Sequence, residues 1–118
     1  MRTNLDYSTE LAKSQAHIIV EILEYVPHAV LNKTIIKKTN GNITITAIDA
    51  GEELAEAKSP FDMFIQIIDG SAQLVISNRK YELRLGEGII IPANASHCFN
   101  AKEQFKMIST IIKNYSAD

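Results

Sequence analysis

The stretch Gly86-Glu87-Gly88-Ile89-Ile90-Ile91-Pro92-Ala93-Asn94-Ala95-Ser96-His97 decides the fold. Glycines mark a turn, three β-branched isoleucines make a short extended run, and Pro92-Ala93-Asn94-Ala95 turns the chain again before His97-Cys98-Phe99. The same rhythm runs outward in both directions. Upstream stand Val30-Leu31-Asn32-Lys33-Thr34-Ile35-Ile36 and Ile43-Thr44-Ile45-Thr46-Ala47-Ile48, the second alternating apolar side chains with threonine. Asn40-Gly41 between them is a two-residue hairpin signal, because both residues tolerate positive φ. A nearly continuous apolar run over 61–68 ends at Asp69-Gly70, and runs over 72–76 and 81–85 follow. Residues 105–112 make the last. About eight short strands separated by turn signals predict an all-β antiparallel sandwich or barrel.

The first thirty residues follow another period. Leu11, Ala12, Ala16, Ile18, Ile19, Ile22 and Leu23 recur at spacings of three and four, which predicts a short N-terminal α-helix over 8–24. Ser8 or Thr9 is the expected N-cap, and Pro27 stops the run. Residues 1–29 are therefore read as a helical extension and 30–115 as the barrel domain.

Composition narrows the function. The chain has 118 residues, 46% of them hydrophobic, and a net charge of −2, so one domain is expected. That balance lacks the basic footprint of a nucleic-acid binder. No apolar run is long enough to span a membrane, and the N-terminus has no apolar signal region. Cys98 is the single cysteine, so no intrachain disulfide can form. A cytoplasmic protein with no nucleic-acid or membrane partner is the expectation.

Gly86, Pro92 six positions on and His97 five further resemble the second conserved motif of the cupin superfamily. The family's glycine before the histidine is Asn94 here, a mild exchange because asparagine also enters left-handed backbone conformations. Ser59-Pro60-Phe61-Asp62, Pro92-Ala93-Asn94 and Phe105-Lys106-Met107 are similar to segments of small cupins. The resemblance covers about residues 30–112. It implies a jelly-roll barrel, a homodimer, and an interior metal held by two histidines and a carboxylate of the first motif plus one histidine of the second.

Counting back from Gly70 puts the first-motif positions at Ala57, Ser59 and Met63. None is a competent ligand for a first-row metal, so only His97 remains of the four and neither metal nor other cofactor is expected. Cys98 should face away from His97, since neighbours on a strand point to opposite faces. By the same alternation Met63, Ile65, His97 and Phe99 line the barrel mouth, with Ala57 and Ser59 at its edge. An apolar wall with one or two polar groups suits a small-molecule ligand, though the same side chains also suit a filled core. Phe64, Gln66 and Ile68 face outward, available for the implied homodimer.

Other templates are poorer. There is no phosphate loop, HExxH helix or nucleophile elbow. Glu52, Glu53, Glu56 and Asp62 are read as solvated loop charges, and His17 as a rim histidine. The reading is thus a non-enzymatic binder of a small, largely apolar molecule. The alternatives are a cupin enzyme of isomerase, lyase or dioxygenase type using His97, and a purely structural dimer.

Overall fold

A computed structural model describes residues 3–113. Positions 114 and 115, assigned above to the barrel, lie outside the described residues. The strands are β1 (Thr3–Tyr7), β2 (Ala29–Lys38), β3 (Gly41–Ile48), β4 (Glu53–Ala57), β5 (Met63–Asp69), β6 (Ala72–Ile76), β7 (Arg79–Leu83), β8 (Gly88–Ile91), β9 (His97–Asn100) and β10 (Phe105–Ile112). They form a larger sheet, β1-β2-β3-β10-β5-β8, and a smaller one, β4-β9-β6-β7. All pairings are antiparallel except β1 with β2. This is the expected all-β jelly-roll barrel. β1 and β4 were not visible as strands: both are short, polar, edge segments without apolar alternation.

The main core lies between the sheets. Val30, Ile48, Ile65, Ile67, Phe105 and Met107 of the larger sheet meet Leu74, Ile76, Leu83 and Phe99 of the smaller. Phe99 and Phe105 stand with ring centroids 6.3 Å apart. A second cluster covers the outer face of the larger sheet, where Leu23 is buried with Leu31, Ile45 and Ala47. Ile19, Ile22 and Tyr25 pack over it, against Ile35, Ile68 and Ile108.

The predicted N-terminal helix is absent. Residues 8–28 run as an irregular strap, with one 3₁₀ turn at Ile19–Glu21. Near its start the backbone pairs with the sheet: the Leu11 amide donates to the Ile35 carbonyl oxygen at 3.1 Å. The Lys37 amide donates to Glu10 Oε2 at 2.6 Å, and this bond holds the Glu10 carboxyl below its ordinary pKa. Ser14 takes φ 57°, a conformation no α-helix contains. Burial follows: Leu23 is 5% exposed, whereas Ile18 of the supposed stripe is 65% exposed. β-branched Ile18, Ile19 and Val20 have little helix propensity to oppose this docking.

The far end of the strap is latched by polar groups. The Tyr25 hydroxyl donates to Asp69 Oδ2 at 2.5 Å, and partial burial beside that carboxylate pushes the phenol above its ordinary pKa. Lys106, 8% exposed, donates to the Val20 carbonyl oxygen at 2.6 Å and holds its ammonium 4.9 Å from the Tyr25 ring centroid. Such a cation over an aromatic face is itself attractive.

The β2–β3 hairpin forms, but one residue earlier than expected. Lys38 pairs with Gly41, leaving Thr39-Asn40 as the turn, and neither takes positive φ. Gly41 serves close approach: a Cβ there would stand 2.5 Å from the Ile111 carbonyl oxygen on β10.

Candidate functional site at the barrel mouth

The second motif folds as a clamp on the first. β8 pairs with β5, Ile91 opposite Met63, and the chain then turns through residues 92–95. Asn94 takes φ 67°, the left-handed conformation that explains asparagine in place of glycine. Its amide donates to the Ser59 carbonyl oxygen at 2.6 Å, and the Ala93 amide donates to Asp62 Oδ1 at 2.8 Å. Asp62 thus ties the two motif loops together, a role its reading as a solvated charge missed.

Both motifs meet at His97, which is 7% exposed. Ala57 of β4 is its cross-strand partner on one side and Ile76 of β6 on the other. The ring stands edge-on to Phe99, centroids 6.3 Å apart at 79°. Nδ1 lies 3.2 Å from the Ala95 carbonyl oxygen, so in the tautomer that donates there Nε2 keeps the lone pair.

The six sequence-proposed residues lie at two depths. Ala57 is exposed, and Ser59 and Met63 are half-buried, with Ser59 Oγ accepting the Phe61 amide at 3.1 Å. Ile65 and Phe99 are 0% and 3% exposed and belong to the packed core beneath. Phe64 and Gln66 are exposed on the opposite face, as alternation requires, but Ile68 lies under the strap. Cys98 pairs with Val75, away from the barrel interior. There it helps line a depression of about 220 Å³ together with Glu56, Ser77 and His97.

The donor set does not fit the metal the fold implies. Alanine offers no donor, the Ser59 hydroxyl oxygen is engaged, a thioether is soft, and one imidazole does not fix a first-row ion. Among the described residues no group of three or more His, Cys, Asp or Glu side chains converges.

Sequence reasoning overlooked a polar patch on the inner face of β2 and β3. Thr46 Oγ1 donates to Asn32 Oδ1 at 2.8 Å, and Asn32 Nδ2 donates to Asp6 Oδ1 of β1 at 2.7 Å. Thr34 and Thr44 are cross-strand partners in the next inward row. The alternation of residues 43–48 was the available signal, but it does not say which face turns inward.

No protein-family model matches the sequence, and no curated protein matches it either. Solved structures do. A conserved protein of unknown function from Streptococcus pyogenes superposes with a TM-score of 0.85 at 24% identity, covering 93% of this chain and 96% of its own. A cupin superfamily protein from Desulfitobacterium hafniense gives 0.83 at 20% identity, over 90% and 97%. A cupin 2 conserved barrel domain protein from Leptotrichia buccalis gives 0.77 at 28% identity, over 80% of this chain and 46% of that one. With two facing sheets, the motif clamp and these neighbours, the chain has the fold of a small cupin.

Proposed function

We propose that this chain is a non-enzymatic binding module that takes a small, largely apolar molecule at the barrel mouth. Met63 forms the wall, Ile65 and Phe99 the floor, and Ala57 and Ser59 the rim, with His97 as the polar anchor. The observation that carries the reading is the donor set: His97 is the one side chain of strong donor or acceptor chemistry among the six. A lone imidazole whose Nδ1 is within reach of a backbone carbonyl suits accepting one hydrogen bond from a ligand O–H or N–H through Nε2. Acid–base catalysis or metal chemistry at the same place would call for a second polar partner.

Native mass spectrometry on untagged protein tests the reading. An organic adduct released on denaturation, and reduced in His97→Ala, is expected. Near-stoichiometric zinc, iron, nickel or manganese in untagged protein would overturn it, as would retention unaffected by His97→Ala. The reading includes a homodimer formed through the outward Phe64 and Ile90, which are 43% and 61% exposed cross-strand partners.

A further inference from the structure

The larger sheet's inner face holds a second cavity, away from His97. It measures about 270 Å³ and is bounded by Asp6, Tyr7, Asn32, Thr34, Lys37, Asn42 and Thr44, among others. We infer that this cavity is a binding site for a small, neutral, polyhydroxylated molecule of monosaccharide or cyclitol type.

Val30 and Ile48 lie in the inter-sheet core and Leu31 and Ala47 under the strap, so Asn32, Thr34, Thr44 and Thr46 face inward. These four are polar where the same face of β5 carries Met63, Ile65 and Ile67. Thr46, 3% exposed, has a partner in Asn32; Thr34 and Thr44 are half-buried and make no side-chain hydrogen bond among the described residues. The Thr46–Asn32–Asp6 chain runs donor to acceptor and fixes the Asn32 amide. It ends on a carboxylate whose other oxygen remains a strong acceptor.

That inventory selects the ligand class. The Thr34 and Thr44 hydroxyls, which both donate and accept, the fixed amide of Asn32, the amide of Asn42 and a carboxylate match vicinal hydroxyl groups, which also do both. The Asp6 carboxylate and the Lys37 ammonium on the same lining offset each other, so neither an anion nor a cation is favoured, and the polar inward rows disfavour an apolar ligand. Tyr7, 48% exposed at the boundary, offers a ring face to the C–H side of a sugar. The volume is at the small end of ligand sites, which fits one ring and not an oligosaccharide. The site is separate from the barrel mouth: β10 stands between β3 and β5, and His97 does not bound the cavity.

Saturation-transfer NMR on the full chain with methyl glucoside, methyl galactoside and inositol at millimolar concentration is the test. At least one probe is expected to receive saturation, with backbone amides of 32–34 and 42–44 shifting in the wild type. Thr34→Val and Thr44→Val, which keep side-chain size, should each weaken binding about five- to tenfold, the usual worth of one hydrogen bond. His97→Ala should leave it unchanged, which separates this site from the barrel-mouth reading. Absence of transfer from all three probes, shifts confined to other strands, or undiminished binding by folded Thr34→Val and Thr44→Val protein would each overturn the inference.

Discussion

The inner face of the larger sheet changes character midway. On β10, β5 and β8 it presents Phe105, Met107, Ile65, Ile67 and Ile91, each 2% exposed or less and packed against the smaller sheet. On β2 and β3 the same face begins with Val30 and Ile48 and then becomes Asn32, Thr34, Thr44 and Thr46. The first region is a solid core, whose value is stability. The second gives up apolar burial and keeps an organised set of hydrogen-bonding groups beside an opening. One sheet thus carries structure and candidate recognition side by side. The apolar complement of β3 is not lost: Ile45 and Ala47 are buried on the outer face beneath the strap.

The largest effect expected from this contrast is on stability. Ile65→Ala should destabilise by about 2–5 kcal/mol in urea unfolding, because a fully buried side chain leaves a cavity. Thr44→Val, one strand beyond β10 in the same cross-strand row, should change stability by about 0.5 kcal/mol or less. Comparable losses in both variants would break the distinction. An intermediate effect belongs to Thr46→Val, expected to cost about 1 kcal/mol by leaving Asn32 Oδ1 without its donor. A stabilised variant would show that the polar row is not an organised network.

The strap supplies pH tests of the outer cover that lets β3 turn its threonines inward. The Tyr25 phenol is raised above its ordinary 10.0, so its contribution is present below pH 10 and lost as pH rises through the folded-state value. Tyrosinate absorbance of the wild type minus that of Tyr25→Phe should show one tyrosine titrating late. Glu10 is depressed below 4.5, so its contribution is present above that pH and fades as pH falls through the folded value. The protection factor of the Lys37 amide, which donates to Glu10, should fall on acidification, its exchange slowing less than the intrinsic rate does; unchanged protection would detach Glu10 from the strap's hold.

A small effect on folding is expected at the uncovered end of the outer face. Phe64→Ser with Ile90→Ser should shift monomer stability by about 1 kcal/mol or less, both being exposed. Light scattering should nonetheless show loss of the proposed dimer. A wild type already monomeric at micromolar concentration would remove that proposal.

Turn chemistry made much of this fold legible before any coordinates. The isoleucine run before Pro92, the Asn94 substitution and the alternation of 63–67 all reappear with the expected burial or backbone conformation. Apolar spacing misled at residues 8–24 because a strap buries part of the same set: Ile19, Ile22 and Leu23 pack on the sheet, whereas Ile18 is exposed. The hydrogen bonds tell strap and helix apart: the Leu11 amide donates to the Ile35 carbonyl oxygen of β2, and the Lys37 amide donates to the Glu10 carboxylate. Asp62 was read as a surface charge because its partner, the Ala93 amide, is 31 residues away.

Local chemistry by itself determined most of the strands and turns and the poverty of metal donors at Ala57, Ser59 and Met63, since these depend on residue type and near neighbours. The side of the sheet on which each alternating set ends lay beyond it. Residues 43–48 read identically whether isoleucine or threonine faces the barrel, because a strand's period is two and has no inside of its own. The N-terminal strap settled the matter by covering Ile45 and Ala47 from outside. Burial is a property of what lies opposite, and what lay opposite came from another part of the chain.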